Sequence, residues 1–169
     1  MKIYTIHTLQ KLPITLQEGW DFLTDPHNLK IITPDDMGFE IISGADRPMY
    51  PGQIIQYNVT PMAGIKTKWV TEITHVQNKA YFVDEQRFGP YSLWHHKHFI
   101  KEIPGGIEME DIVDYKIPLG IIGQWIQPYL IQPRLDKIFA YRKQKLVDLF
   151  GNYKHTNNKK SATLKQDIL

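Results

Sequence analysis

The stretch LWHHKHFIKEIPGGIEMEDIVDYKIP, residues 93–118, decides the fold. Two runs rich in aromatic and β-branched residues flank Pro104-Gly105-Gly106, which is the composition of a β-hairpin. With the two glycines as the loop, Pro104 faces Ile107. Lys97 then lies opposite Asp114, Lys101 opposite Glu110 and Phe99 opposite Ile112. Two opposite-charge pairs on one face mark that face as solvated. The two-residue period sends Trp94, His96, His98 and Ile100, with Asp111, Val113, Tyr115 and Ile117, to the other side. In this register His96 faces Tyr115, His98 faces Val113, and Asp111 sits diagonal to His98. The inward face is apolar and aromatic, yet it holds two histidines and an aspartate. A sealed core avoids such groups unless they are paired.

Working outward, the neighbouring segments repeat this theme. Strands are expected at Phe39–Ser43, Gln53–Thr60, Lys66–Val76 and Ala80–Phe88, separated by Pro51-Gly52, Pro61–Gly64, Asn78-Lys79 and Gly89-Pro90. Ile55, Tyr57 and Val59 share one face, as do Trp69, Thr71 and Ile73, and Phe82, Asp84 and Gln86. Residues 2–12 alternate as an opening strand that Pro13 ends. Thr15 with Glu18 forms a capping box for a short helix carrying Trp20, Phe22 and Leu23, and a second short helix covers about 26–31. The last part changes period. Leu135, Ile138, Phe139, Leu146, Leu149 and Phe150 recur at helical spacing, with an irregular lead-in from about 121 because of Pro128 and Pro133, and a stop at Gly151. The class is α+β: an antiparallel meander of about six to seven strands against a long C-terminal helix, with two short helices after strand 1. One domain is expected over 1–151 and a polar, disordered tail over 152–169.

Composition narrows the function classes. A formal net charge of +2 in 169 residues gives no nucleic-acid footprint. The absence of cysteine excludes disulfides, thiol nucleophiles and thiolate metal sites. No apolar run approaches the ~20 residues a membrane span needs, and no signal-peptide pattern opens the chain, so a cytoplasmic location is expected.

Interior polar groups scattered among aromatic residues fit a concave cavity better than a plain core. The expected ligand-binding wall is Tyr57, Trp69, Thr71, Phe82, Asp84, Gln86, Trp94, His96, His98, Asp111 and Tyr115. Arg142 joins it from the helix, one turn from Ile138 and Leu146, where it could meet an interior acid or a ligand carboxylate. His96 and His98, alternate residues on one face, have the spacing of a metal pair with Asp111 as third ligand. The reading adopted is hydrogen-bonded cavity histidines oriented by Asp111 or Asp84, with no metal and no cofactor. A His98–Asp111 pair, or Asp84 with a burial-raised pKa, are the candidates for acid–base catalysis.

Several segments together resemble one superfamily: Pro26-His27-Asn28-Leu29 through Ile32-Thr33-Pro34, Trp69 with Thr71-Glu72-Ile73, Phe82 to Gln86, Gly89-Pro90-Tyr91 followed by Trp94-His95-His96, and Asp111 through Tyr115 to Gly120. This combination is similar to small bacterial ligand-binding members of the START, Bet v 1 and polyketide-cyclase (SRPBCC) superfamily. The resemblance implies a helix-grip fold with a deep cavity between sheet and helix. It also implies a small hydrophobic or amphipathic ligand held by a monomer or homodimer. It implies no single reaction, since the superfamily spans carriers, receptors, cyclases and partner-binding regulators.

Overall fold

The computed structural model describes residues 2–62 and 64–154. Strand β1 (Tyr4–Leu12) leads into helices α1 (Leu16–Thr24) and α2 (Pro26–Ile31) and a single 3-10 turn, Asp35–Met37. Strands β2 (Glu40–Ser43), β3 (Gln53–Met62), β4 (Ile65–Gln77), β5 (Tyr81–Phe88), β6 (Leu93–Ile103) and β7 (Gly106–Lys116) follow. The chain then forms α3 (Gly120–Ile126), a π-helical turn (Gln127–Ile131) and the long α4 (Gln132–Phe150). All strands belong to one curved antiparallel sheet in the order β1-β7-β6-β5-β4-β3-β2. The meander expected from short turns is therefore present, and β1 closes it by pairing with β7.

Local chemistry explains the boundaries. The Thr15 hydroxyl accepts the Glu18 N–H, and the Glu18 carboxylate accepts the Thr15 N–H at 2.8 Å, so α1 starts with a complete capping box. Asp25 caps α2, whose first residue is Pro26. Pro128 lies inside the π-helical turn, the irregular lead-in anticipated from the two prolines. The polar tail expected over 152–169 lies outside the described residues from 155 onward. Tyr153, at its start, donates its hydroxyl to the Pro104 carbonyl at 2.6 Å.

The decisive hairpin turns one residue earlier than expected, on Pro104-Gly105, so that Ile103 faces Gly106. Lys97 accordingly faces Ile112, Phe99 faces Glu110 and Lys101 faces Glu108. His96 faces Val113, and His98 faces Asp111 directly instead of diagonally. The cause is local. Proline suits the first central position of a turn, and Gly105, at φ +82°, takes the left-handed second position. Gly106 is a strand residue, because a Cβ there would lie 2.0 Å from the Leu12 carbonyl oxygen of β1. The pairing slips by two residues, one full period, so every side chain keeps its face. The exposed ion pairs form in altered geometry. Lys97 reaches Asp114 diagonally at 2.8 Å, Lys101 meets Glu108 at 2.7 Å, and Glu110 meets His7 of β1 at 2.7 Å.

Three apolar clusters surround the concave face. Leu12, Trp20, Ile100, Ile107 and Leu146 join α1, β6, β7 and the end of α4. Ile6, Val113, Tyr115, Leu135 and Phe139 seat the start of α4. Phe39, Ile55, Tyr57, Val59 and Ile73 line β3 and β4. Each fully buried Leu or Ile contributes roughly 1.5–3 kcal/mol. Leu135, Phe139 and Leu146 form the inward stripe of α4, and Ile138 and Arg142 share it. No helix of the described residues is long and apolar enough to cross a membrane. One apolar run is left exposed at the opposite end of the helical segment: Leu119, Ile121, Ile122, Trp125, Tyr129 and Leu130.

Candidate functional site

A cavity of about 180 Å³ lies between the sheet and α4. Its sheet wall carries Tyr57, Trp69, Thr71, Phe82, Asp84, Trp94, His96 and His98, and α4 adds Arg142. Nine of the residues expected at a ligand wall thus stand around one space. Gln86, Asp111 and Tyr115 stand off it. Gln86 bonds the backbone of Tyr91 through both its amide atoms, at 2.6 and 3.2 Å, and so closes the loop after β5. Tyr115 donates to Gln132 at 2.9 Å and accepts from Gln127 at 3.0 Å, tying β7 to the helical lead-in. Asp111 lines a second hollow, together with residues of β1 and α4.

The polar centre is a four-residue box. The imidazoles of His96 and His98 lie 3.7 Å apart between two carboxylates. His98 places Nε2 2.8 Å from Asp84 Oδ2 and Nδ1 2.8 Å from Asp111 Oδ1. His96 places Nε2 3.1 Å from Asp111 Oδ1, while its Nδ1 is 3.5 Å from Asp84 Oδ2. A carboxylate only accepts, so a ring with both nitrogens at hydrogen-bond distance from carboxylates must donate from both and carry a proton on each. His98 meets that condition. Burial opposes its charge, but the bonds to Asp111 and Asp84 outweigh burial and raise its pKa. His96 goes the other way, lowered by burial and then by the charge on His98. Burial also works against both carboxylates, yet their histidine partners hold Asp84 below the usual range and Asp111 well below it. The expectation of a burial-raised Asp84 is therefore corrected: two adjacent imidazoles prevail over desolvation.

Asp84, His96 and His98 bring donor atoms within 4.8 Å of one another, the donor set that transition metals take. Every ring nitrogen is nonetheless turned to a carboxylate oxygen, which makes the box an ion cluster closed on itself.

Around the box the wall is aromatic. Phe82 stacks on His98 with centroids 4.1 Å apart. Trp69, Tyr91 and Trp94 pack against one another at 4.8–5.8 Å. Thr71 accepts from Trp69 Nε1 at 3.0 Å and bonds the Tyr57 hydroxyl. Burial and the charge of Asp84 raise the Tyr57 pKa, so the phenol stays neutral.

Arg142 differs from these satisfied groups. Its guanidinium lies 5.3 Å from the centroid of the Phe139 ring, and its Nε is buried without a hydrogen-bond partner. Its charge reaches Asp84 through space, but the ion pairs of Asp84 go to His98 and His96.

Sequence reasoning missed the roof of the cavity. Leu29, Ile32, Met37 and Phe39, from α2 and the segment after it, face the sheet, as does Arg134 of α4. Arg134 bonds the Pro61 carbonyl at 3.0 Å and pairs with Asp36 at 2.7 Å, joining α4 to the roof and to the β3 end. The segment is too short and too broken by prolines to show a sustained apolar period that would have marked them.

Neither a family model nor a curated protein matches the chain. Solved structures do. A Chromobacterium violaceum protein superposes with a TM-score of 0.67 at 14% identity, covering 89% of this chain and 99% of its own. The ginseng (Panax ginseng) major latex-like protein 151 gives 0.64 at 10% identity, with 88% and 97% covered. A norcoclaurine synthase from Thalictrum, solved as a point mutant with a transition-state analogue, gives 0.59 at 12%, with 88% and 96% covered. At such identities the likeness concerns the backbone, and it extends over nearly the whole of each partner. The chain shares the fold of these proteins, a curved antiparallel sheet with a long C-terminal helix.

Proposed function

We propose that this protein binds a small amphipathic molecule in the cavity between the sheet and α4. The observation that carries the proposal is an apolar, aromatic-lined space with a few polar groups converging on it, the usual composition of a small-molecule site. Bet v 1-like neighbours of the same fold support the reading. Binding is favoured over catalysis because the ring nitrogens of His96 and His98 are all turned to carboxylate oxygens of the box. Neither nitrogen of His98 remains free to take a proton from a substrate.

Native mass spectrometry of freshly purified protein tests the proposal, with tryptophan fluorescence as a second readout, since Trp69 and Trp94 stand in the wall. The expected result is a bound mass released on denaturation, or a blue-shifted, saturable fluorescence change with an apolar acid or aryl probe. A chain that carries no extra mass, and whose tryptophans respond to none of a panel of fatty and aromatic probes, refutes it.

A second reading, docking on a protein partner, is favoured by one observation. Leu119, Ile121, Ile122, Trp125, Tyr129 and Leu130 are six large apolar side chains left exposed between residues 119 and 130. Substituting Trp125 and Tyr129 by Ser should abolish partner capture while leaving cavity binding unchanged. Capture that survives the double substitution removes this reading.

A further inference from the structure

We propose that Arg142 is the recognition point for a small carboxylic acid, whose single negative charge pairs with the guanidinium while its apolar body lies against the aromatic wall. This inference rests on the cavity reading above and assigns its ligand class.

The first support is a difference in hydrogen bonding. Asp84 and Asp111 bring two negative charges. His98, donating from both ring nitrogens, returns one positive charge, and Arg142 brings another. The two carboxylates make their contact ion pairs with the histidines, and Arg142 makes none with either. All four members of the box are engaged, whereas Arg142 Nε is buried with no acceptor and the guanidinium forms no ion pair among the described residues. A buried donor left unmade is costly, and a purely structural arginine would be expected to turn its fork to a carboxylate or a carbonyl. Arg134, eight residues earlier on the same helix, does so with Asp36 and Pro61.

The second support is placement. Arg142 lies in the cavity lining, on the inward stripe of α4, with the guanidinium close to the Phe139 ring. The planar fork matches a carboxylate with two parallel N–H···O bonds. The contact ion pairs of Asp84 go to the two histidines rather than to Arg142.

Size and charge bound the ligand. A cavity of about 180 Å³ is of the scale of the ~150 Å³ space that takes up benzene in an engineered protein. The body is thus one ring or a short acyl chain. Of the two arginines that line the cavity, Arg134 pairs with Asp36 and Arg142 forms no ion pair among the described residues, so a dianion would bury its second charge unpaired. This favours a carboxylate over a phosphate monoester.

The test is calorimetric titration of the full chain at pH 7 with three matched pairs: benzoate and benzamide, phenylacetate and phenylacetamide, hexanoate and hexanamide. In at least one pair the acid should bind about tenfold or more tighter than its amide, and phenyl phosphate should bind more weakly than the preferred acid. In Arg142→Gln that preference should fall below about twofold with amide affinity unchanged, and Arg142→Lys, which keeps charge but loses the fork, should lie between. Equal binding of acid and amide to the unaltered chain overturns the Arg142 assignment while the cavity reading stands. A preference that survives Arg142→Gln also overturns it, by placing the anion elsewhere. Failure of every pair to bind, acid or amide, sinks the cavity reading and the assignment together. The acid–amide comparison on the unaltered chain keeps the proposal refutable even if Arg142→Gln does not fold.

Discussion

Replacing Asp111 by Asn tests whether the His–Asp box is an ion cluster. The amide keeps the shape of the carboxylate and removes its charge. Asp111 Oδ1 stands 2.8 Å from His98 Nδ1 and 3.1 Å from His96 Nε2, so one substitution weakens two contacts in a buried site. Removing one partner of a buried pair costs about 3–5 kcal/mol. Asp84 still holds His98 at 2.8 Å, so the lower end, about 3 kcal/mol, is expected. For a chain of this size that lowers Tm by roughly 6–12 °C. A pH signature separates charge from shape. The folded-state pKa of His98 is raised, so its contribution is fully present below the unfolded value near 6.5 and is lost as pH rises through the folded value. The folded pKa of His96 is lowered, so its contribution is lost as pH falls below about 6.5. Urea unfolding of the native protein should therefore weaken above pH 6.5 with a slope of at most ~1.4 kcal/mol per pH unit. Asp111→Asn should flatten that slope, because His98 keeps only one carboxylate. A loss below about 1 kcal/mol, or a mutant that retains the native slope, would refute an ionised box.

Three further substitutions probe the scaffold. Gly106→Ala drives a Cβ against the Leu12 carbonyl and should lower stability by about 2 kcal/mol or more, read as a reduced urea midpoint; an unchanged midpoint means that β1 and β7 separate freely there. Thr15→Ala removes the capping box of α1 and should cost about 1 kcal/mol by the same assay, with native-like circular dichroism. Leu146→Ala hollows the cluster that seats the end of α4 and should cost about 2–5 kcal/mol; a smaller loss would show that α4 is held mainly from its N-terminal half.

The strand faces were legible because their signal has a period of two. Even a hairpin register displaced by two residues left Trp94, His96, His98, Asp111 and Tyr115 on the correct side. The turn itself was not legible, since Pro104-Gly105 and Gly105-Gly106 both satisfy turn chemistry. The choice is made by β1, whose Leu12 carbonyl approaches Gly106 from far away in sequence. Capping boxes and proline breaks are local, and α1 and α2 followed from them. The roof of the cavity depends on long-range packing of Leu29, Ile32 and Met37, which no short window encodes. Three expected wall residues stand elsewhere for a related reason. An inward face supplies both lining and support, and only the path of the loop decides that Gln86 braces Tyr91, or that Tyr115 turns to Gln127 and Gln132.

The box and Arg142 divide two tasks that one sequence pattern had merged. Polar residues inside an aromatic wall suggested a single mixed site, to which His98 and Asp111 would contribute as readily as Arg142. In the folded chain the histidines and aspartates meet in contact, at 2.8–3.5 Å, and so tie β5, β6 and β7 together across the sheet. A cluster of this kind gives rigidity, because each imidazole is held between two carboxylates. Arg142 reaches the same space from the helix that grips the sheet, and it arrives with its Nε unspent. A guest that meets this donor joins α4 to the aromatic wall through its own body. On the proposed reading ligand binding is coupled to the docking of the C-terminal helix, and a ligand recognised by Arg142 should protect α4 amides from hydrogen exchange more than those of β6 and β7.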